Sequence, residues 1–195
     1  MPVTGWKHLA PVYFYAVIVL CLIAFTQGED FSSRQAFLLI GLGVLSWNAL
    51  EYALHRFVFH HSARSAFGRQ LIYAAHLSHH ENPRATNRLF SSLLVSLPIA
   101  TGYVLLAWIA TGSLRGAAYL FGGLTAGYFC YEWLHFQAHH RQPRLRLFRY
   151  LRKYHLLHHY QTPEQRFGVT SPLFDLILGT FRPVRTGRKR SLLFF

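Results

Sequence analysis

Four long apolar segments alternate with short polar or basic stretches along the chain. Each segment is nearly free of charged side chains, and a bilayer core of about 30 Å requires roughly 20 helical residues. A soluble helical protein is the alternative, but four such segments would leave little amphipathic surface for solvent. We therefore predict an all-α, polytopic membrane protein with four transmembrane helices, at Leu9–Thr26, Ala36–Leu54, Leu89–Ala110 and Gly116–Leu134.

The first apolar segment has a second interpretation, because Lys7 precedes it as in a cleaved signal peptide. The residues from Gln27 to Asp30 lack the small-x-small pattern of a cleavage site. A retained first span is therefore favoured, and residues 1–195 are predicted to form a single membrane domain.

Positively charged residues greatly outnumber negatively charged ones, and they are distributed unevenly along the chain. The chain has 20 Lys and Arg against 7 Asp and Glu, a formal net charge of +13. With four spans, all of these cations except Arg34 and Arg115 fall on one face, which places both termini in the cytoplasm by the positive-inside rule. This arrangement favours anionic lipid head groups over nucleic acid as the partner. It predicts a multi-pass protein of a bacterial inner membrane or the endoplasmic reticulum.

The most basic stretch, Arg141 to Lys153, interleaves Arg with Leu, Phe and Tyr. This pattern indicates a helix lying in the membrane interface, with a solvated charged segment as the competing interpretation. Cys21 and Cys130 lie inside predicted spans and form no paired pattern, so they predict neither a disulfide framework nor a thiolate metal site.

Histidine is the unusual residue of this chain, at 13 of 195 positions. Ten of these side chains are candidate metal ligands, since imidazole is the commonest ligand among side chains. They form four groups along the sequence: His55 and His60; His76, His79 and His80; His135 and His139; His155, His158 and His159.

Helical spacing supports a shared orientation in three of the groups. Positions i, i+3 and i+4 fall on one helix face, so the three rings of each HxxHH group can point the same way. His55 and His60 lie about 140° apart on an ideal helix, and can share a metal only if the helix bends or unwinds there.

Ten imidazoles exceed what one ion holds, so the pattern predicts two ions. An all-nitrogen site suits iron, zinc or copper rather than calcium or magnesium. Buried carboxylates could orient the ligating rings from behind, and the candidates are Glu51, Glu132 and Asp175. A non-redox metal transporter would instead distribute ligands along a path inside the spans. A haem-bearing electron carrier would need paired mid-span histidines.

The ordered set HxxxxH, HxxHH, HxxxH and HxxHH resembles the fatty acid hydroxylase and sterol desaturase superfamily. The resemblance covers about Asn48 to Phe181. It is carried less securely to His61 and His140, and no role is assigned to His8. His158-His159-Tyr160, followed by the segment Phe167 to Asp175 and then Gly179-Thr180, is most similar to the fatty acid 2-hydroxylase branch.

This resemblance implies a membrane di-iron monooxygenase that uses O2 to hydroxylate a lipid acyl chain, at carbon 2 of a fatty acid or of a fatty acyl group in a sphingolipid-like lipid. The ten histidines would be the metal ligands, in a cytoplasmic cap of residues 55–88 and 135–181 followed by a basic tail, 182–195. Zinc could replace iron in a purified sample. Desaturation, or oxidation of a sterol or carotenoid, is the alternative within the superfamily.

Electrons are the remaining requirement of that chemistry. Eukaryotic members of the superfamily often carry a fused cytochrome b5 domain, and too few residues precede the first span here for such a domain. The expected electron donor is a separate protein of cytochrome b5 or ferredoxin type with its reductase.

Overall fold

The computed structural model describes residues 10–25, 31–89 and 92–184, and within these ranges the regular secondary structure is entirely helical. The α-helices are α1 (Ala10–Phe25), α2 (Ser33–Ala53), α3 (Ala66–Ile72), α4 (Ser78–Glu81), α5 (Leu93–Thr111), α6 (Leu114–His140), α7 (Arg146–Tyr160) and α8 (Leu173–Ile177). Two π-helical segments, Leu54–Phe59 and Tyr73–Leu77, and a 3₁₀ turn, Thr86–Arg88, interrupt the series. The all-helical prediction is confirmed for the described residues.

Helix α6 is the centre of the bundle and packs against α1, α2, α5 and α7. Its closest neighbour is α2, because two glycines let the backbones touch. A Cβ atom added at Gly43 would lie 2.1 Å from the carbonyl oxygen of Leu120, and one at Gly123 would lie 2.1 Å from that of Ile40. Only glycine permits this approach, as in small-residue contacts between membrane helices.

An aromatic core fills the space between these helices. Its buried residues are Tyr15, Trp47, Phe121, Leu124 and Tyr128. The Tyr15 hydroxyl donates to Ser96 Oγ over 2.9 Å, which satisfies its polar end. These contacts join α1, α2, α5 and α6 around one interior.

The outer faces of the bundle remain apolar and exposed. Phe37, Leu94 and Ile109 are 76%, 79% and 75% exposed. Two helical stretches, Ser33–Phe59 and Thr86–Thr111, are long and apolar enough to cross a membrane by length and composition, and only 22% and 6% of their most apolar windows are buried. The core helix of a soluble protein would be mostly buried, so the exposure favours a lipid environment.

The other two predicted spans differ in character. The described part of the first is α1, with 16 residues, which is short for a complete span. The predicted fourth span lies within α6, a helix of 27 residues that continues without a break through His135 and His139. Many residues of α6 are buried against other helices, because it occupies the centre of the bundle. The four-span topology therefore stays a prediction.

The predicted interfacial segment is partly helical. Residues 141–145 precede the helix, and α7 begins at Arg146 and runs through the last histidine group. Leu147 is 63% exposed, whereas Leu151 and Tyr154 are buried, so α7 has one face on the protein and one apolar-and-basic face outward. Of the basic tail, residues 185–195 lie outside the described residues.

Candidate metal centre

Five histidine rings form a first group, here called cluster one. His55 and His60 come from the π-helical end of α2, His76 from the second π-helical segment, His80 from α4 and His158 from α7. One ring nitrogen from each lies within 4.8 Å of the other four. Segments up to about 100 positions apart in sequence thus meet at one point.

Five further rings form cluster two. Its members are His79 from α4, His135 and His139 from α6, and His155 and His159 from α7, again with one nitrogen each within 4.8 Å of the others. The clusters are neighbours, since the rings of His80 and His159 stack with centroids 4.0 Å apart. All ten sequence-predicted ligand candidates belong to one cluster or the other.

Each HxxHH group is divided between the clusters. On α4 and the segment before it, His76 and His80 join cluster one while His79 joins cluster two. On α7 the division is reversed, because His155 and His159 join cluster two and His158 joins cluster one. The three rings of a group do share a helix face, as predicted. That face lies at the boundary between the two clusters, so its rings are divided between them.

The HxxxxH spacing is accommodated by the π-helix at Leu54–Phe59. The amide of His60 donates to the carbonyl of His55 over 3.2 Å, an i to i+5 bond that defines π-helical geometry. This bond places His60 above His55 in the next turn, whereas an α-helix would separate them by about 140°. The unwinding that the spacing requires is therefore present.

The distances suit a metal ion at the centre of each cluster. Histidine nitrogens lie about 2.0–2.1 Å from a bound zinc ion, so two ligands on opposite sides are about 4 Å apart. The Nε2 atoms of His76 and His80 are 2.9 Å apart, and those of His139 and His155 are also 2.9 Å apart. The ring nitrogens within each cluster are therefore close enough together to coordinate one metal ion per cluster.

Unpaired nitrogens give the second indication. The Nε2 atoms of His55 and His158 are buried without a hydrogen-bond partner, and so are both ring nitrogens of His135 and of His159. A buried polar atom left unsatisfied costs about 1–3 kcal/mol. Coordination to a metal would remove that cost.

Burial also keeps the rings neutral, the protonation state that ligation requires. Loss of solvent lowers the pKa of His60 to about 4 and that of His158 to about 3. In cluster two it lowers the pKa of His79 to about 4 and, with the neighbouring His79, that of His139 to about 2. At neutral pH each of these four rings is therefore neutral and has one nitrogen lone pair that can bind a metal.

Backbone carbonyls orient two ligands of cluster one. His55 Nδ1 lies 2.5 Å from the carbonyl oxygen of Phe167, and His158 Nδ1 lies 2.7 Å from that of Gln165. A carbonyl can only accept, so each Nδ1 carries the proton and each Nε2 presents its lone pair. The residues from Gln165 to Thr170, here called the orienting loop, thus fix two tautomers.

Two buried carboxylates hold the orienting loop. Asp175 Oδ1 accepts from the amide of Phe167 over 2.9 Å, and its Oδ2 accepts from that of Gly168 over 2.8 Å. Glu51 accepts from the amides of Val169 and Thr170. Asp175 was expected to accept from a ligating imidazole, but its oxygens bond the loop instead, so it acts on the rings through the backbone.

The remaining candidates lie outside this network or at its edge. Glu132 is 2% exposed on α6, one turn before His135, and its orienting role stays a prediction. His61 is exposed and belongs to neither cluster. His140 stacks on Phe136 with centroids 4.8 Å apart and also belongs to neither. His8 lies outside the described residues.

Sequence reasoning missed the carbonyls of Gln165 and Phe167, because every residue has a carbonyl and none is distinctive. The available signal is the segment Phe167 to Asp175, which resembles one branch of the superfamily and contains the candidate orienting carboxylate Asp175. Gly168 belongs to that segment, and a Cβ atom there would lie 2.0 Å from the Ser171 carbonyl oxygen.

Comparisons with known proteins indicate the family of the chain. Residues 40–180 match the family model described as fatty acid hydroxylase. The chain is 31% identical to dihydroceramide fatty acyl 2-hydroxylase FAH2 of Arabidopsis thaliana over 193 residues, 95% of this chain and 81% of that protein. It is 35% identical to FAH1 of the same plant, covering 97% of this chain and 78% of that protein.

A longer relative and a solved structure extend the comparison. Ceramide very long chain fatty acid hydroxylase SCS7 of Saccharomyces cerevisiae is 35% identical over 186 residues, 91% of this chain and 46% of that protein. The solved structure described as full length scs7p, with only the hydroxylase domain visible, superposes with a TM-score of 0.81 at 29% identity. It covers 90% of this chain and 67% of that one.

Proposed function

The chain belongs to the fatty acid hydroxylase family, and from this premise we propose that it is a membrane di-iron monooxygenase that hydroxylates a lipid acyl chain. The favoured position is carbon 2 of a fatty acid or of the fatty acyl group of a sphingolipid-like lipid, because the relatives include dihydroceramide fatty acyl 2-hydroxylases. The single observation that carries the proposal is the convergence of ten histidines, seven of them buried and three partly buried, into two five-nitrogen clusters.

Iron is the proposed metal at both clusters, and zinc could replace it during purification. The chemistry supplied when iron is bound is activation of O2 for attack on a C–H bond that no side chain could deprotonate. His55, His60, His76, His80 and His158 would hold one ion. The other would be held by His79, His135, His139, His155 and His159.

The chain's own contribution is to orient and shield these ligands. The orienting loop holds the Nδ1 protons of His55 and His158, which leaves each Nε2 free to bind. His79, His135 and His158 are at most 1% exposed, so these three rings are shielded from water. Both effects favour reaction with the lipid over side reactions with solvent.

An apolar cavity beside cluster one supports an acyl substrate. The cavity lies between α1, α2, α5 and α6 and has a volume of about 80 Å³. Its walls include Trp47, Ile99 and Leu124, and one end reaches His55. We propose that part of the acyl chain occupies this cavity, because its lining is predominantly apolar.

Location and electron supply complete the proposal. The exposed apolar faces of α2 and α5 would contact lipid, in a four-span protein with both termini cytoplasmic and its histidine clusters in a cytoplasmic cap. A bacterial inner membrane or the endoplasmic reticulum would provide that setting. Two electrons per turnover would come from a separate cytochrome b5-type or ferredoxin-type donor with its reductase.

The test is expression of the full chain in a host that lacks hydroxylated acyl lipids, followed by mass spectrometry of extracted lipids. We expect 2-hydroxylated acyl chains with the native chain and none with His158→Ala, which removes one ligand of cluster one. His61→Ala is the matched control, since it deletes an exposed ring outside both clusters. Product that persists in His158→Ala would refute the ligand assignment.

A further inference from the structure

A basic recess lies beside cluster two, and of its lining residues only His139 has a role in the function proposed above. It has a volume of about 300 Å³ and is lined by Arg84, His139, His140, Arg141, Gln142 and Arg152. A wider groove of about 1030 Å³ shares four of these residues and adds Arg144, Arg149 and Lys153 to its lining. Among the described residues, neither lining contains an acidic side chain, so none of the lining residues neutralises the arginines of the recess.

Two groups in the recess are buried without an acceptor. Arg152 Nε and His140 Nε2 have no hydrogen-bond partner. Burial and the nearby Arg84 lower the pKa of Arg152. Cations held this close together repel each other, and an anion between them would convert that repulsion into attraction.

The donor set indicates the chemistry of that anion. Guanidinium groups present paired N–H donors that match the oxygens of a carboxylate or a phosphate. A carboxylate would neutralise only one of the three arginines, whereas a phosphate monoester carries about −1.5 to −2 at pH 7. The volume of the recess also leaves room for a tetrahedral group.

We propose that Arg84, Arg141 and Arg152 form a phosphate-binding site at the edge of cluster two. If the proposed hydroxylase function holds, this phosphate is a monoester in the head group of a phosphate-bearing lipid, either the substrate or its neighbour. The lipid is then positioned next to His139. An acidic protein is the disfavoured occupant, because the unpaired Arg152 Nε is buried in a concave site, where a small oxyanion reaches it more readily than a protein surface does.

The experiment measures phosphate binding to the full chain, purified in a neutral detergent, by isothermal titration calorimetry. The two probes are inorganic phosphate and lysophosphatidic acid. Arg152→Gln should raise the Kd for both by about tenfold or more, because one charge-assisted hydrogen bond contributes about 1.5–3 kcal/mol. Arg152→Lys, which keeps the charge and loses the planar fork, should fall between Arg152→Gln and the native chain.

Arg146→Gln is the matched control. It removes one charge from the same helix at an exposed position outside both linings. The Kd should change by less than about twofold, because solvent and salt screen an exposed charge. Tighter binding of lysophosphatidic acid, displaced by inorganic phosphate, identifies a lipid head group; equal affinities identify free phosphate.

Three results would overturn the site. Equal losses in Arg152→Gln and Arg146→Gln would show only a diffuse surface charge. Unchanged binding in Arg152→Gln would exclude that residue. Binding of a polyglutamate peptide that depends on Arg152, without phosphate binding, would point to an acidic protein. None of these measurements requires product formation, so the phosphate site and the hydroxylase proposal can fail separately.

Discussion

The two histidine clusters have the same number of rings but are held in different ways. In cluster one, the Nδ1 atoms of His55 and His158 bond carbonyls of the orienting loop. In cluster two, the Nδ1 atoms of His79, His135 and His155 are buried without a hydrogen-bond partner. Two rings of cluster one are therefore fixed by hydrogen bonds to a loop, whereas these three rings of cluster two lack such a bond.

Their surroundings differ as well. Cluster one adjoins the apolar cavity through His55, and cluster two adjoins the basic recess through His139. An apolar acyl tail and a charged group would thus be drawn to opposite sides of the pair. This difference in surroundings predicts that the clusters contribute unequally to substrate placement.

The largest expected effect comes from deleting one ligand of each cluster on the same helix. His155→Ala and His158→Ala each remove a buried ring from α7, but from cluster two and cluster one respectively. Each single variant should retain about one metal ion per chain and the double variant about none, since loss of one nitrogen from a packed site weakens binding most at that site. Inductively coupled plasma mass spectrometry measures the content.

The His155 and His158 variants also test independence of the two sites. A single variant that loses both ions would show that the clusters bind metal as one coupled unit. A variant that keeps both ions would remove its histidine from the ligand set. The far-ultraviolet circular dichroism spectrum distinguishes either result from a general loss of helix.

A smaller effect is expected from weakening the orienting loop. Asp175→Asn removes the charge that accepts from the Phe167 and Gly168 amides and from the Thr180 hydroxyl. Metal affinity of cluster one should fall about 10–100-fold, as is usual when groups that orient ligands are removed, with little change at cluster two. Competition with a chelator, followed by two-site analysis, measures both affinities.

Glu164→Gln serves as the control for Asp175→Asn, because Glu164 is an exposed carboxylate close to the same loop. It should leave both affinities unchanged. Equal weakening of both sites by Asp175→Asn would contradict the loop's selective role and would indicate instead that Asp175 supports the whole cap.

Features of the site that depend on residues close together in the sequence were predictable, and features that depend on the packing of distant segments were not. The four histidine groups and the unwinding at His55 to His60 are local, so spacing alone predicted them. The assignment of His79 and His158 to opposite clusters is not local, because it depends on how α4 and α7 lie against α6. The identity of the ten candidates was predictable, but their division was not.

The carboxylates show the same limit. Glu51 and Asp175 were predicted to be buried carboxylates, and both are buried and accept hydrogen bonds. Their partners are backbone amides of the orienting loop, which no side-chain pattern reveals. The helix at the centre of the bundle, α6, was also predicted as an ordinary span, because composition does not show which helix the others surround.

The smallest expected effect is a pH dependence that both clusters share. In the metal-free protein, burial lowers the folded-state pKa of His158 to about 3 and of His79 to about 4, from an ordinary value of 6.5. The unfolded chain then takes up protons below pH 6.5 that the folded chain refuses, so stability is present above that pH and is lost as the pH falls toward 4. Each fully buried ring contributes a slope of up to about 1.4 kcal/mol per pH unit in that window.

The apparent Tm in detergent should therefore fall between pH 7 and pH 5, and less steeply in the variant that combines His155→Ala with His158→Ala. A Tm that is flat or rises on acidification would mean that the rings are protonated in the folded state. That result would contradict the inference that both clusters consist of neutral imidazoles able to bind metal.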